Sequence, residues 1–177
     1  MFDMNITQRP TYDPIAVQPF RDELTWVGFH ELLTPRDVDT ALGTKGTTLV
    51  VLNSVCGCAA GSARPGIALA LQHAKIPDQL TTVFAGMEKD AVDHLRSNYL
   101  SAFPPSSPLI ALFQDGKPVF AMQRMHIEGN SAERIASLLV QAFDAYCTMQ
   151  GPSVSKEKYD QLVHAKMCGS KIPRLDQ

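Results

Sequence analysis

The residues best suited to chemistry in this 177-residue chain are Cys56 and Cys58, which flank Gly57 in the run Asn53-Ser54-Val55-Cys56-Gly57-Cys58-Ala59-Ala60-Gly61. Residues 47–52 (TTLVVL) read as a buried central strand, and the Ala-rich stretch after the run, with Ile67, Leu69 and Leu71, reads as a helix. The cysteines therefore fall where a strand ends and a helix begins. Unpaired backbone N–H groups and the positive end of the helix dipole favour an anion there, so a cysteine ionises more readily than a free one. The expected chemistry is thiol–disulfide exchange. Cys56, outside the helix, is assigned as the nucleophile, and Cys58, closer to the first turn, as the resolving thiol. A disulfide between them closes a smaller ring than a Cys-x-x-Cys pair does, which favours easy reduction. Gly57 lets the loop turn sharply.

Two other readings stand beside this one. The pair could be small buried residues that only fill space, although the intervening glycine and the strand–helix junction argue otherwise. The pair could also belong to a metal or iron–sulfur site completed by Cys147, Cys168 or some of the five histidines, none of which has tight ligand spacing to it. His30, His73 and His94 read as solvated helix residues rather than ligands, and Cys147 as a packed thiol on the last core helix. Arg64, one turn into the helix, offers either a guanidinium that steers an anionic thiol or an ordinary surface ion pair.

Composition narrows the function classes. A 45% hydrophobic content suffices for a real core, and the length fits one domain with a tail. With a net charge of −2 and no basic face, a nucleic-acid partner is not expected. No apolar run approaches the roughly 20 residues that span a bilayer, and Met1-Phe2-Asp3-Met4-Asn5 does not open a secretory signal. The expected location is a reducing cytoplasm, where four cysteines serve redox or metal chemistry rather than a disulfide framework. Nothing in the sequence fixes an oligomeric state.

The elements that must hold the cysteines follow in order. Residues 1–12 read as irregular. A helix follows from Pro14, capped by Asp13, with an apolar stripe at Ile15, Val17, Phe20, Leu24 and Val27. Thr34-Pro35-Arg36-Asp37 opens a short second helix that stops near Gly43. After the strand at 47–52 and the cysteines, a helix over 59–74 is expected to bend at Pro65. Strands are expected at 80–85 and 109–113, with a helix over 87–99 between them. Asp115-Gly116 signals a hairpin, so residues 118–123 should return as an antiparallel edge strand. Ser131 opens a last core helix running to about Cys147. Gly151-Pro152-Ser153 then breaks the chain, and residues 155–166 suggest a short helix with a mobile tail. This order predicts an α/β protein with a central mixed sheet covered by helices on both faces and extra helices at the N-terminus.

That architecture is the one a thioredoxin-like fold requires. The segment Ser106-Ser107-Pro108-Leu109-Ile110-Ala111-Leu112-Phe113-Gln114-Asp115-Gly116 resembles the thioredoxin superfamily pattern of a cis-proline, a strand and a hairpin turn. The resemblance implies that Pro108 is cis after Ser107, faces the cysteines, and is preceded by backbone that binds an extended substrate segment. Gly57, Ser107, Pro108 and Arg64 are accordingly the candidate substrate contacts. Thioredoxins keep a buried acid in the strand before their cysteines; Leu49-Val50-Val51-Leu52 has none.

A closer resemblance is carried by the cysteine run together with Gly46-Thr47-Thr48-Leu49-Val50-Val51, Ala63-Arg64-Pro65, Val83-Phe84-Ala85-Gly86, Pro105-Ser106-Ser107-Pro108, Ile127-Glu128-Gly129 and Ala142-Phe143-Asp144-Ala145-Tyr146-Cys147. These resemble the bacilliredoxin family over roughly residues 12–147. The resemblance implies a thiol–disulfide oxidoreductase with no metal or resident cofactor. It would remove a bacillithiol-like low-molecular-weight thiol, its co-substrate, from mixed disulfides on cytosolic proteins, with weak disulfide isomerase activity. On that division, residues 1–147 form the redox domain and residues 148–177 an extension past the family's usual end. Arg124-Met125-His126-Ile127-Glu128 departs from the family pattern, so His126 receives no role.

Overall fold

A computed structural model describes residues 8–167 and 169–177. Met1–Asn5 and Cys168, both considered above, lie outside the described residues. In chain order the elements are α1 (Pro14–Thr25), β1 (His30–Glu31), α2 (Pro35–Leu42), β2 (Thr47–Asn53), a π-helical turn (Ala59–Ala63) continuing into α3 (Arg64–Ala70), β3 (Lys75–Ile76), β4 (Gln79–Phe84), α4 (Lys89–Asn98), β5 (Leu109–Gln114), β6 (Lys117–Met122), α5 (Arg124–Ile127), α6 (Ala132–Tyr146), β7 (Met149–Gln150), α7 (Lys156–Asp160) and a 3₁₀ turn (Gly169–Lys171).

The caps act as their residue types dictate. The Asp13 carboxylate accepts from the Ile15 amide at the start of α1, and the Ser131 hydroxyl accepts from the Arg134 amide at the start of α6. Thr34 and Asp37 close a reciprocal capping box on α2 with Pro35 in the first turn.

The main sheet runs β1-β4-β2-β5-β6. Its β1/β4 and β4/β2 pairs are parallel, and β2/β5 and β5/β6 are antiparallel. This is the mixed thioredoxin-like sheet, with β6 at an edge where Pro118 costs no ladder bond. The β5–β6 turn places both Asp115 (φ 50°) and Gly116 (φ 79°) in the left-handed region, as a tight hairpin requires.

Every residue of β2 is buried, because alternate side chains feed two cores. Leu49 and Val51 join Ile110 and Leu112 of β5 and the α3 and α6 residues Ile67, Ala70, Ile135, Leu139 and Phe143. Val50 and Leu52 point the other way, to Val38 and Leu42 of α2 and Val92 and Leu95 of α4. A third, smaller cluster of Val17, Phe20, Val55, Phe84, Met87 and Ile172 lies beyond the carboxyl end of the central strands, beneath the cysteine loop.

Several local expectations change. Ile15 is exposed rather than part of the α1 stripe, since the buried face is set by Val17, Phe20 and Leu24. The helix after the cysteines stops at Ala70, not residue 74. There the chain leaves into β3, which pairs with β7 in a second small sheet that the sequence pattern does not reveal. Nor is the bend at Pro65 a simple kink. The Arg64 amide bonds five residues back to the Ala59 carbonyl, and Pro65 has no N–H to restore α-helical spacing, so the first turn is widened.

The segment expected to be a mobile tail is instead held against the body. The Trp26 indole N–H donates to the Lys158 carbonyl of α7 at 2.8 Å. Ile172 is buried in the third cluster. Tyr12 and Arg174 form an antiparallel bridge. A Cβ on Gly169 would lie 2.7 Å from the Val55 carbonyl oxygen, so the chain passes close to the cysteine loop there.

Candidate redox site

The site begins where β2 ends. Asn53 is the last residue of that strand, and its buried carboxamide oxygen accepts from the Ser54 amide at 2.9 Å while its NH₂ donates to the Phe20 carbonyl at 3.0 Å. The Ser54 hydroxyl accepts from the Cys56 amide at 3.2 Å. These short polar links turn the chain out of the sheet and aim Cys56 at the start of the widened helical turn.

Cys56 and Cys58 are both partly exposed free thiols, with their sulfurs 2.7 Å apart in a hydrogen bond. The Ala59 amide points at the Cys56 sulfur from 3.4 Å. Burial pushes the Cys56 thiol up. The hydrogen bond from Cys58, the Ala59 amide, the Ser54 hydroxyl and the charge of Arg124 together outweigh it, so Cys56 ionises below its ordinary range. Cys58 goes the other way, to about 11. Burial acts first, then its hydrogen bond to Cys56, then the Cys56 charge, with Arg124 offsetting only a part. Of the two thiols Cys56 is therefore the one that ionises first, with the shared proton left on Cys58.

Arg64 does not sit where a substrate contact was expected. It is 1% exposed, and its guanidinium faces inward. Nε donates to Glu23 Oε2 at 2.8 Å, one terminal nitrogen donates to the Asn53 carboxamide oxygen and the Ser54 carbonyl, and the other donates to the Ala165 carbonyl. Its aliphatic stem and the ring of Phe20 (4.8 Å from the guanidinium carbon) account for the burial. Arg64 therefore braces the loop that carries Cys56, and neither steering nor a surface ion pair describes it. The buried acid missing from β2 is supplied by Glu23 of α1. It is spent on Arg64, His164 Nδ1 (2.7 Å) and the Ala165 amide (3.1 Å) rather than aimed at a thiol.

Ser107–Pro108 is a cis peptide. Leu109 pairs with Leu52 across β5 and β2, which places Pro108 beside the end of β2, close to where the chain turns out toward Cys56. A cleft of about 480 Å³ opens there, lined by Pro104, Pro105, Ser106, Ser107, Arg124 and Glu128 among others. The Ser106 hydroxyl accepts from the Arg124 amide at 2.8 Å, tying the cis-proline loop to α5. Arg124 is the charged neighbour of the thiols that sequence reasoning passed over. It is exposed, 3.7 Å from Glu128, and its charge reaches both thiols. It follows the end of β6, and only the pairing of β6 with β5, and of β5 with β2, carries it to the cysteine loop. Nothing in the local sequence signals that approach. His126, left without a role, caps α5: its Nδ1 accepts from the Gln123 amide at 3.0 Å.

Cys147 lies at the far end of the sheet. It is buried, near Thr47 at the start of β2 and Asp78, and burial pushes it up to about 11. The seven residues of β2 separate it from the redox loop by about 20 Å, so it is no ligand for a metal at Cys56 and Cys58. Among the described residues no group of three or more His, Cys, Asp or Glu side chains is placed to hold a metal ion. His73 and His94 pair at the surface with Asp144 and Asp39, and of the three histidines expected on helices only His94 is helical, His30 lying in β1 and His73 beyond the end of α3. No helix among the described residues is long and apolar enough to cross a membrane.

A family model described as disulphide isomerase matches residues 12–147. A bacilliredoxin of Salinibacter ruber is 48% identical over 143 residues, covering 80% of this chain and 83% of that protein. One from Cytophaga hutchinsonii is 49% identical over 75% of this chain and 98% of its own length, and one from Halalkalibacterium halodurans 50% over 75% and 92%. With this extent of similarity and this sheet, the chain belongs to the bacilliredoxin family.

Proposed function

We propose that this chain is a thiol–disulfide oxidoreductase that reduces mixed disulfides between proteins and a low-molecular-weight thiol of the bacillithiol type, using Cys56 and Cys58. The observation that carries the reading is the geometry of two free thiols 2.7 Å apart with the Ala59 amide 3.4 Å from the Cys56 sulfur, an arrangement that favours the anion at Cys56 and the proton at Cys58. Membership of a family named for bacilliredoxins and disulphide isomerases supports the redox class.

In the first step the Cys56 thiolate attacks the small-thiol sulfur of the mixed disulfide. A Cys56–small-thiol disulfide forms, the original S–S bond breaks, and the protein leaves as a thiolate that takes a proton from water. Two of the three influences that hold Cys58 up, its hydrogen bond to Cys56 and the Cys56 charge, vanish once Cys56 is capped. Cys58 then releases its proton more readily and attacks Cys56, expelling the small thiol and closing a Cys56–Cys58 disulfide. A second thiol or dithiol reductant supplies the two electrons that reopen it. The co-substrate is the small thiol, the partners are thiol-capped proteins of a reducing compartment, and no metal or resident cofactor takes part. Isomerisation of protein disulfides, which the family description favours, uses the same first attack and omits resolution by Cys58.

The test is reduction of a protein carrying a small-thiol cap. The native chain should release the cap, Cys56→Ser should be inactive, and Cys58→Ser should accumulate a disulfide between Cys56 and the small thiol, visible by mass spectrometry. Undiminished activity of Cys56→Ser, or stoichiometric zinc or iron in anaerobically purified protein that is lost in the double cysteine variant, would overturn the proposal.

A further inference from the structure

A second cleft borders the redox loop, and Arg124 is not among its lining residues. It has a volume of about 290 Å³ and lies between Gly57, Ala60 and Gly61 on the body and His164, Lys166 and Met167 on the C-terminal extension. We propose that this cleft is a recognition subsite for the carboxylate of the small-thiol moiety, with Lys166 as the specificity-determining residue. The inference rests on the reduction of small-thiol mixed disulfides argued above and assigns which part of that substrate goes where.

Position is the first argument. Gly57 separates the two cysteines, so a group held against it lies beside the sulfurs that exchange. Rigidity is the second. The extension is pinned next to the cleft by His164 Nδ1 and the Ala165 amide on Glu23, and by the Ala165 carbonyl on Arg64, both partners being buried. Farther along, Ile172 is buried under the same loop. Backbone held in this way lowers the cost of ordering the wall when ligand arrives.

Charge and size choose the occupant. Lys166 is exposed and makes no ion pair with any described residue, and no carboxylate lines the cleft. Glu23, the nearest acid on the network, is buried and taken up by Arg64, His164 and Ala165. A volume at the lower edge of the range for small-molecule sites suits a compact anion rather than a polypeptide. The cleft beside Ser107 and Pro108 is larger and carries Glu128 as well as Arg124, which suits the protein half of the mixed disulfide. With the small moiety on the extension side, its sulfur lies next to the loop that carries Cys56, the sulfur that the first step attacks.

The experiment uses the full chain and one carrier protein capped either with 3-mercaptopropionate or with its neutral isostere 3-mercaptopropionamide. The native chain should uncap the carboxylate adduct faster. Lys166→Gln should slow that adduct roughly twofold to fivefold, as expected for one partly exposed charge pair, and leave the amide adduct unchanged. Lys166→Glu should reverse the preference. A Cβ on Gly61 meets nothing within 4 Å, so Gly61→Met should obstruct the cleft without disturbing the helix and slow both adducts. Equal rates on the two adducts by the native chain, or equal slowing of both by Lys166→Gln, would overturn the subsite while leaving the proposed activity standing. A native chain inert toward both adducts would overturn the activity and the subsite together.

Discussion

Strand β2 has a cysteine environment at each end, and the two could hardly differ more. At its start Cys147 packs near Thr47, buried among aliphatic side chains, where burial and the charge of Asp78 outweigh the one hydrogen bond from Thr47 that favours its anion. Beyond its end Cys56 has an amide at 3.4 Å, a thiol at 2.7 Å and a guanidinium within electrostatic reach. Burial raises both thiols, but only at Cys56 do donors and charge win. A cysteine ionises more readily by what points at it: the amides at the start of a helical turn favour the anion at Cys56, and the carboxyl end of α6, which Cys147 caps, offers none.

The largest expected effect is also the simplest way to break the comparison. Cys56→Ser should abolish uncapping of a thiolated protein, whereas Cys147→Ser should leave the rate within about twofold, as expected for a change that touches no reacting group. Loss of activity in the second variant without loss of folding would mean that the far end of the sheet takes part in the chemistry.

Next comes the brace behind Cys56. Arg64→Met leaves Glu23 buried without its cation, and should cost about 3–5 kcal/mol of unfolding free energy in urea titrations. Because Arg64 also holds Asn53 and Ser54, the same variant should raise the Cys56 ionisation midpoint. The double variant Glu23→Leu with Arg64→Met should regain much of the stability but not the low midpoint. Recovery of both would show that the brace has no influence on the thiol.

The pH dependence sharpens the contrast further. Alkylation of Cys56 by iodoacetamide should rise with pH and reach its midpoint earlier than that of a free thiol, because its thiolate is favoured in the folded chain. Cys147 and Cys58 should still be gaining reactivity near pH 11, since both are raised to about that value. A Cys56 profile that follows Cys147 would remove the distinction on which the mechanism depends.

Arg124→Gln should have the smallest effect. Arg124 is exposed and partly screened by water and by Glu128, so neutral-pH alkylation of Cys56 should slow by no more than roughly fivefold. The difference from the native chain should shrink as salt is added. An effect that ignores salt would point to a contact rather than a field.

Much of this molecule follows from local patterns. The run TTLVVL, the caps at Asp13, Thr34 and Ser131, and Asp115-Gly116 define elements within a few residues of their observed limits, because each depends on interactions among near neighbours. The placement of Cys56 and Cys58 at a strand–helix junction follows for the same reason. What local patterns could not give is partnership across the chain. Arg64 looks exposed when read alone, since no periodicity reveals that Glu23, 41 residues away, waits inside. Arg124 becomes an electrostatic neighbour of the thiols only when β6 returns beside β5. The extension looks polar and detached because its anchors, Ile172 and the 164–165 backbone, bind surfaces built from α1 and the redox loop. Local order along the chain therefore defines the elements and brings Cys56 and Cys58 to one junction. The tertiary structure alone decided which charges are buried, which reach the sulfurs and what walls the site, because Coulomb and desolvation energies depend on distances in space that the order of residues does not contain.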